Sequence, residues 1–281
     1  MTTASARRVA REAARRRRAR RGTVVAAVST VVVLGGLALL LVNAPGWDDV
    51  RETFFSWEVF RESFPDVLRG FWLDVKLFVV VEVIVLVAAL GVALVRVTGA
   101  PALFPVRLLA TVYTDVLRGV PVILVVYLVG FGIPALGVRG WFADPVVLGG
   151  FGLALCYTAY VAEVYRAGLD SVHPSQRSAA LAVGLTERQA MRFVIVPQAV
   201  RRVVPPLLND FISLQKDVAL VSILGPQEAF RVAQINAASD FNYTPFLAAA
   251  LLYLAVTVPL ARIVDHQQAR ARRRQGHTVT P

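Results

Sequence analysis

The 281-residue sequence carries little charge for its length. Charged residues make up 17% of it, whereas a soluble domain typically has about 25%. The hydrophobic residues (56%) stand in long blocks rather than on one face of alternating elements. Blocks such as TVVAAVSTVVVLGGLALLLV have no polar face to turn to water. This composition argues against a large soluble core and predicts an integral membrane protein built from bilayer-spanning helices.

The sequence also lacks the residue sets that enzymes and metal sites need. Its one cysteine, Cys156, lies in an apolar run and is expected to act as a small buried hydrophobe. We find no cysteine–histidine spacing for a metal, no paired carboxylates, and no Ser-His-Asp or Cys-His set for catalysis. No GxxxxGK[ST] loop is present, so any ATP and Mg²⁺ would belong to a separate polypeptide. We predict no enzyme activity and no bound cofactor, and we interpret His173 as a solvated polar residue.

The formal net charge of +11 is concentrated at the two ends of the chain. Arginines cluster in ARRVAREAARRRRARR before the first apolar block and in ARARRR after the last. Such clusters are topology signals that stay in the cytoplasm and favour anionic lipid, so we do not predict a nucleic-acid partner. The first block is about 20 residues long, and the following NAPGWDD offers no small-residue cleavage site. We therefore interpret this block as a retained anchor rather than a signal peptide.

Six apolar segments are long enough to cross a bilayer. They cover residues 23–42, 72–95, 106–135, 145–165, 205–224 and 246–264. The third is over-long, and we expect an interfacial helix at about 102–117 leading into a shorter span. An even number of spans places both arginine-rich termini in the cytoplasm. The aromatic residues Trp47, Trp57, Trp72 and Trp141 are expected at the outer interface.

The spans divide the chain into five regions. We predict a cytoplasmic arginine-rich tail (1–22), an additional N-terminal helix (23–42), an acidic extracytoplasmic segment (43–70), a transmembrane domain (71–265) and a cytoplasmic basic tail (266–281). Within the transmembrane domain, residues at about 170–200 form a cytoplasmic helical hairpin. Its sequence, HPSQRSAALAVGLTERQAMRFVIVPQA, is helix-prone and polar, and it is broken once at Gly184. This content favours a docking element over a plain connecting loop.

Ionisable residues inside spans are costly and face a cavity or a partner helix. In the second span, Asp74 and Lys76 are expected to reach the outer interface, whereas Glu82 lies deeper. Asp115 and Arg118 are three residues apart and are expected to pair with each other. Glu163 and Arg166 have the same spacing, which favours a structural pair.

The fifth span is the best candidate for lining a polar path. Asn209, Ser213 and Lys216 follow the helical repeat on one stripe, and Asp210 and Asp217 form a neighbouring stripe. An amino-acid zwitterion needs both an anion and a cation inside the membrane, and this segment offers both. The alternative, that Lys216 and Asp217 only neutralise other charges in the bundle, is equally open.

Residues 65–265 resemble the permease subunits of bacterial ABC importers for polar amino acids, the histidine, glutamine and glutamate permease family. The family signature is Glu-Ala-Ala, three residues, Gly, nine residues, an apolar residue, one more residue, and Leu-Pro. It is matched here by Ser178-Ala179-Ala180, Gly184, Val194 and Val196-Pro197. The runs RGVP (118–121), VPQA and PPLLNDFISLQKD also match.

The resemblance implies a polytopic all-α bundle whose hairpin couples to an ATPase. We expect the coupling residues to be Gln176, Arg177, Ser178, Ala179, Ala180, Gly184, Leu185, Arg188 and Pro197. Ala179 and Ala180 would allow close approach of the partner, Gly184 would take a positive φ, Thr186 and Gln189 would cap the second helix, and Pro197 would end it. The substrate-path candidates are Glu82, Asp115, Arg118, Glu163, Asn209, Ser213, Lys216 and Asp217.

The implied assembly lies in the bacterial cytoplasmic membrane. It pairs a second permease subunit, identical or different, with two cytoplasmic ATPase subunits and an extracytoplasmic solute-binding protein. The chain departs from the family pattern at Ser175, at Ser178 in place of the signature glutamate, and at Val218 and Ala219. Two alternatives remain open: an ion-coupled secondary transporter, although the third and fifth spans show no shared repeat, and a non-transporting membrane scaffold.

Overall fold

The structure is a computed structural model that describes the backbone of residues 3–98 and 100–276 and the side chains of residues 22–98 and 100–268. Within these ranges every regular element is helical, so the predicted all-α membrane fold is confirmed. The chain divides into two compact units, Met1–Ser56 and Trp57–Pro281.

The first unit contains two helices, α1 (Thr3–Val42) and α2 (Trp47–Phe54). The predicted span 23–42 is one continuous apolar helix, and none of its residues is buried within the protein. An isolated apolar helix of this length is stable only with lipid or another helix around it. The arginine side chains of the predicted tail 1–22 lie outside the described residues.

The second unit contains the remaining nine helices of the described chain. They are α3 (Trp57–Val97), α4 (Phe104–Gly119), α5 (Val122–Ala135), α6 (Pro145–Asp170), α7 (Pro174–Ala182), α8 (Glu187–Ala190), α9 (Val196–Asp217), α10 (Ala229–Asp240) and α11 (Thr244–Gly276). Short 3₁₀ segments lie at Pro101–Leu103, Gly140–Ala143 and Val218–Leu224. The predicted basic tail 266–281 continues α11 to Gly276, and its last residues lie outside the described part.

Four of the described helices, α1, α3, α6 and α11, are long and apolar enough to cross a membrane by themselves. Helices α4 and α5 pass the same test as a pair bent by 109°, so the over-long predicted segment divides into two helices, as expected. The bend follows from Val120, which is extended, and Pro121, which cannot donate a backbone hydrogen bond. The predicted span 205–224 instead lies on α9 and a 3₁₀ segment that together carry several charged residues.

Helix α6 is the centre of the second unit and packs against α3, α4, α5 and α9. Its glycines permit this close packing: a Cβ on Gly152 would lie 3.1 Å from Val126 Cα, and one on Gly168 would overlap the Val203 side chain. Cys156 is fully buried in the core and has no disulfide partner, as predicted. The well-packed α6 therefore fixes the positions of the elements that carry the polar residues.

Candidate functional site

The predicted hairpin is formed by α7, a tight turn and α8. Gly184 takes φ +87°, a left-handed conformation that glycine adopts without a steric cost. The turn is closed by two backbone hydrogen bonds, Gly184 N–H to Leu181 O (3.0 Å) and Leu185 N–H to Ala180 O (3.1 Å). The predicted chain reversal at Gly184 is therefore confirmed.

Side-chain caps hold both helices of the hairpin. Thr186 and Gln189 form the predicted capping box at the start of α8, with the Gln189 backbone N–H donating to Thr186 Oγ1 and the Thr186 N–H donating to Gln189 Oε1. At the start of α7, the ring nitrogen Nδ1 of His173 accepts from the Ser175 N–H at 3.2 Å. His173 is exposed, as predicted, but it also serves as a helix cap, which its position before Pro174 could have indicated.

A bidentate ion pair joins the two helices of the hairpin. Arg177 donates to both carboxylate oxygens of Glu187 at 2.9 and 2.8 Å, and these hydrogen bonds raise the pKa of Arg177. Ser178, at the position of the signature glutamate, donates to the Pro174 carbonyl and to no other group of the described residues. Glu187 was missed because it lies among the nine residues that the family signature leaves unspecified. The exposed carboxylate of this hairpin therefore comes from α8 rather than from α7.

The outer surface of the hairpin is formed by most of the predicted coupling residues. Gln176, Arg177, Ser178, Ala179, Gly184, Arg188 and Pro197 are exposed, and Leu185 is half-buried. Ala180 is 5% exposed and Ala190 is fully buried, so Ala180 packs inside the hairpin and the expectation that it faces a partner is wrong. Val183, at the tip, is 78% exposed and gives the surface an apolar centre.

Pro197 does not end the second helix, and that prediction is wrong. The chain continues from α8 through a π-helical segment, Met191–Ile195, directly into α9. Pro197 occupies the first turn of α9, where its missing N–H costs little because the wider π turn precedes it. The hairpin and the polar helix face of α9 are thus parts of one continuous helical run.

The predicted stripe on α9 lies on the open side of that helix. Asn209 and Lys216 are exposed and Ser213 is half-buried. Within the described part of the chain, no carboxylate lies within 4.0 Å of the Lys216 amine. Asp217 accepts a hydrogen bond from the hydroxyl of Tyr157 at 2.8 Å. These contacts do not support the alternative that Lys216 is held by a charge of the bundle, and they leave its charge available.

Two further acids accompany the stripe. Asp210 lies close enough to Glu82 and to Arg118 for electrostatic interaction with both. Asp210 Oδ2 is buried without a hydrogen-bond partner among the described atoms, and Glu82 is half-buried. Three helices, α3, α4 and α9, therefore direct two carboxylates and one guanidinium toward one region of the bundle.

Glu163 is the centre of a larger ion network. It accepts hydrogen bonds from Arg96 (2.7 Å) and Arg166 (2.6 Å), and Arg118 lies 3.7 Å away. The predicted Glu163–Arg166 pair is therefore confirmed as a structural contact. The predicted Asp115–Arg118 pair is wrong, because Arg118 turns from α4 toward the Glu163 carboxylate on α6 instead.

Asp74 also lies elsewhere than predicted, because it is 2% exposed rather than at the interface. Its Oδ2 accepts from the hydroxyl of Tyr253 on α11 (2.8 Å) and from the Ala229 N–H (3.3 Å), while Oδ1 has no partner among the described atoms. Glu228 is 1% exposed, caps α10 through the N–H groups of Phe230 and Arg231, and approaches the same Tyr253 hydroxyl at 3.5 Å.

Gly70 makes this buried carboxyl cluster (Asp74, Glu228 and Tyr253) possible. A Cβ at Gly70 would lie 2.7 Å from the Glu228 carbonyl carbon and 2.8 Å from the Ala229 nitrogen, so only glycine allows α3 to approach α10 so closely. Glu228 caps α10 through neighbouring residues, but its place in the cluster was missed because Asp74 and Tyr253 come from distant parts of the chain. In the described residues, no group of three or more His, Cys, Asp or Glu side chains is placed to hold a metal.

Comparison with known proteins identifies a common family. Residues 99–273 match the family described as binding-protein-dependent transport system inner membrane component. A probable amino-acid permease protein, YxeN of Bacillus subtilis, is 31% identical over 75% of this chain and 93% of its own length. The arginine transport system permease protein ArtQ of the same organism is 31% identical over 71% of this chain and 89% of its own length.

A solved structure shows the same fold. The crystal structure of an amino acid ABC transporter with histidines aligns with a TM-score of 0.70 and 30% sequence identity, covering 76% of this chain and 98% of the other. The match covers nearly all of that chain, whereas about a quarter of the present chain lies outside it.

Proposed function

Because the chain belongs to the binding-protein-dependent transport system inner membrane components and is a permease subunit of an ABC amino-acid importer, we propose that it admits a polar or charged amino acid. As a permease subunit it is not an enzyme, and ATP hydrolysis belongs to a separate subunit. The single observation that carries the proposal is the exposed, doubly capped hairpin, which continues without a break into the polar face of α9.

The hairpin is the docking element for the ATPase. Its two short helices are fixed by the Gly184 turn, the capping box and the Arg177–Glu187 pair, so a partner meets a preformed surface. Val183 at the apolar tip and Arg188 on α8 are both exposed, and a surface that offers charge as well as an apolar centre is typical of a specific interface. Two copies of the ATPase bind Mg²⁺ and ATP, one under each subunit of a permease pair.

The substrate path follows the open face of α9. The exposed amine of Lys216 suits the carboxylate of an amino acid, and Asn209 and Ser213 supply neutral hydrogen-bonding groups on the same stripe. Glu82 and Asp210 suit the ammonium group. Glu163, one of the candidates for the path, belongs instead to the ion network, since Arg96 and Arg166 donate hydrogen bonds to its carboxylate. Asp115, another candidate, lies near that network and interacts electrostatically with Arg166.

The protein is a multi-pass component of the bacterial inner membrane with both termini and the hairpin in the cytoplasm. This orientation counts the polar α9 as a sixth crossing beside the five apolar ones. The arginine clusters at both ends support this orientation under the positive-inside rule. An extracytoplasmic binding protein delivers the amino acid to the opposite face.

The test is co-purification of the tagged full chain from its host in mild detergent, followed by mass spectrometry. A Gly184→Pro variant cannot adopt φ +87° and should lose the ATPase. The matched control is Gly137→Pro, since Gly137 also has a positive φ (+81°) with no atoms crowding its Cβ position but lies outside the hairpin.

An ATPase recovered with the wild type and with Gly137→Pro, but not with Gly184→Pro, supports the docking role. Size-exclusion profiles establish that each variant remains folded. Absence of any ATPase from a folded wild-type sample contradicts the importer, whereas an ATPase that survives Gly184→Pro contradicts only the hairpin assignment.

A further inference from the structure

A small cavity lies beside the ion network and is lined by three arginines. Its volume is about 260 Å³, and its walls are formed by Arg96, Phe104, Arg107, Leu108, Thr111 and Arg166. These residues come from the end of α3, the start of α4 and the end of α6. The volume is that of several water molecules and accommodates a phosphate group with part of a glycerol.

Among the charged side chains that the structure describes around the cavity, one cation is left uncompensated. Arg96 and Arg166 are paired with Glu163, and Arg166 also pairs with Asp170. From farther away, Arg118 and Asp115 add one charge of each sign, which offset each other.

Arg107 is the uncompensated cation. Its guanidinium donates to the Thr98 carbonyl (3.0 Å) and lies 5.5 Å from the Phe104 ring centroid. No carboxylate of the described residues lies within 4.0 Å of it. The remaining donors of Arg107 are therefore available to an oxyanion.

The surroundings of the cavity are apolar on the outside. Leu103, Phe104, Leu108 and Leu109 are exposed at the start of α4, the helix that is bent away from the following span. A guanidinium beside exposed leucine and phenylalanine side chains suits a ligand with a negative head and hydrocarbon tails. A free inorganic anion would use the guanidinium but would leave the apolar rim without a role.

We propose that this arginine cavity binds the phosphodiester of an anionic membrane lipid, with Arg107 as the principal contact and the acyl chains lying against Phe104 and Leu108. The site is separate from the polar face of α9 and from the hairpin. Lipid bound here would hold the start of α4 against the ends of α3 and α6, where the ion network joins these helices.

The test uses the full chain reconstituted in nanodiscs of phosphatidylcholine with about 30% phosphatidylglycerol. The protein is then released gently from the nanodiscs for native mass spectrometry. The wild type is compared with Arg107→Gln, Arg107→Lys and Arg192→Gln. Arg192 is the matched control because its guanidinium also lies near an aromatic ring, 5.6 Å from that of Phe193, but it does not line the cavity.

We expect Arg107→Gln to lower the retained phosphatidylglycerol about fivefold relative to phosphatidylcholine, since one cation near a membrane contributes about a factor of this size. Arg107→Lys should retain part of the preference, and Arg192→Gln should retain all of it. Equal losses in Arg107→Gln and Arg192→Gln would overturn the proposal, as would equal retention in all four proteins. A second arm offers inorganic phosphate to the wild type in nanodiscs of phosphatidylcholine alone. If phosphate is retained through Arg107 while phosphatidylglycerol is never retained in preference to phosphatidylcholine, the ligand is a free oxyanion and the lipid assignment fails.

Discussion

Removal of the Tyr253 hydroxyl should destabilise the transmembrane domain more than removal of any exposed tyrosine hydroxyl. In the buried carboxyl cluster, this hydroxyl donates a hydrogen bond of 2.8 Å to Asp74, which is shorter than the 3.3 Å hydrogen bond from the Ala229 N–H. Asp74 is 2% exposed, so water cannot replace the lost donor. A buried acceptor that loses its partner costs about 1–3 kcal/mol, and we expect about 2 kcal/mol for Tyr253→Phe.

The assay is thermal unfolding of the purified full chain in detergent, followed by the loss of monodisperse protein. About 2 kcal/mol corresponds to a fall in Tm of about 4–8 °C for a chain of about this size. Tyr127→Phe is the control, because Tyr127 is 41% exposed. The assay must resolve differences in Tm of about 1 °C. If the Tm of Tyr253→Phe lies within that difference of the Tm of Tyr127→Phe, the reasoning is refuted.

A second substitution tests how the cluster holds two acids. Asp74 and Glu228 are both buried around one tyrosine hydroxyl, and no described ion pair involves either of them. Two neighbouring buried carboxyls avoid mutual repulsion when one of them keeps its proton. Asp74→Asn mimics that neutral form and should lower the Tm less than Tyr253→Phe does. A larger loss for Asp74→Asn would show that Asp74 must be ionised.

Three further results are expected. Gly70→Ala should destabilise the protein strongly, because its Cβ would lie 2.7 Å from the carbonyl carbon of Glu228 and 2.8 Å from the nitrogen of Ala229. Gly91→Ala on the same helix meets no atom within 4 Å and should be neutral or stabilising by about 0.5–1 kcal/mol in the unfolding assay. Arg177→Glu should weaken ATPase co-purification, and the double variant Arg177→Glu with Glu187→Arg should recover part of it; no recovery would contradict a structural role for the pair. In proteoliposomes that also hold the ATPase, with the binding protein supplied, Lys216→Gln should lower amino-acid uptake by about tenfold, while Lys216→Arg keeps much of it. Equal uptake by all three proteins would remove Lys216 from the proposed path.

The features that could be predicted from the sequence depend on residues close together in the chain. The Gly184 turn and the Thr186–Gln189 capping box are fixed within a few residues by backbone geometry and side-chain reach. The bend between α4 and α5 follows in the same way from Pro121. Local chemistry of this kind holds whatever the rest of the chain does.

The features that were missed depend on contacts between distant helices. Asp74 meets Tyr253 and the backbone of Ala229 only after α3, α10 and α11 have packed together. Arg118 lies three residues from Asp115, yet it turns toward Glu163. Sequence spacing identifies which side chains share a helix face, but the neighbouring helix decides which of them are paired.

The continuity of the helical run from Glu187 to Asp217 links the two proposed functional regions physically. At 1.5 Å per residue this run is about 45 Å long, which joins the hairpin at one end to Lys216 near the other. The π turn at Met191–Ile195 and the internal Pro205 and Pro206 weaken its hydrogen-bond ladder at two places. Displacement of the hairpin by an ATPase would therefore be transmitted along the helical run to the polar face of α9. The run would bend at those two places, while the tightly packed α6 stayed in position beside it.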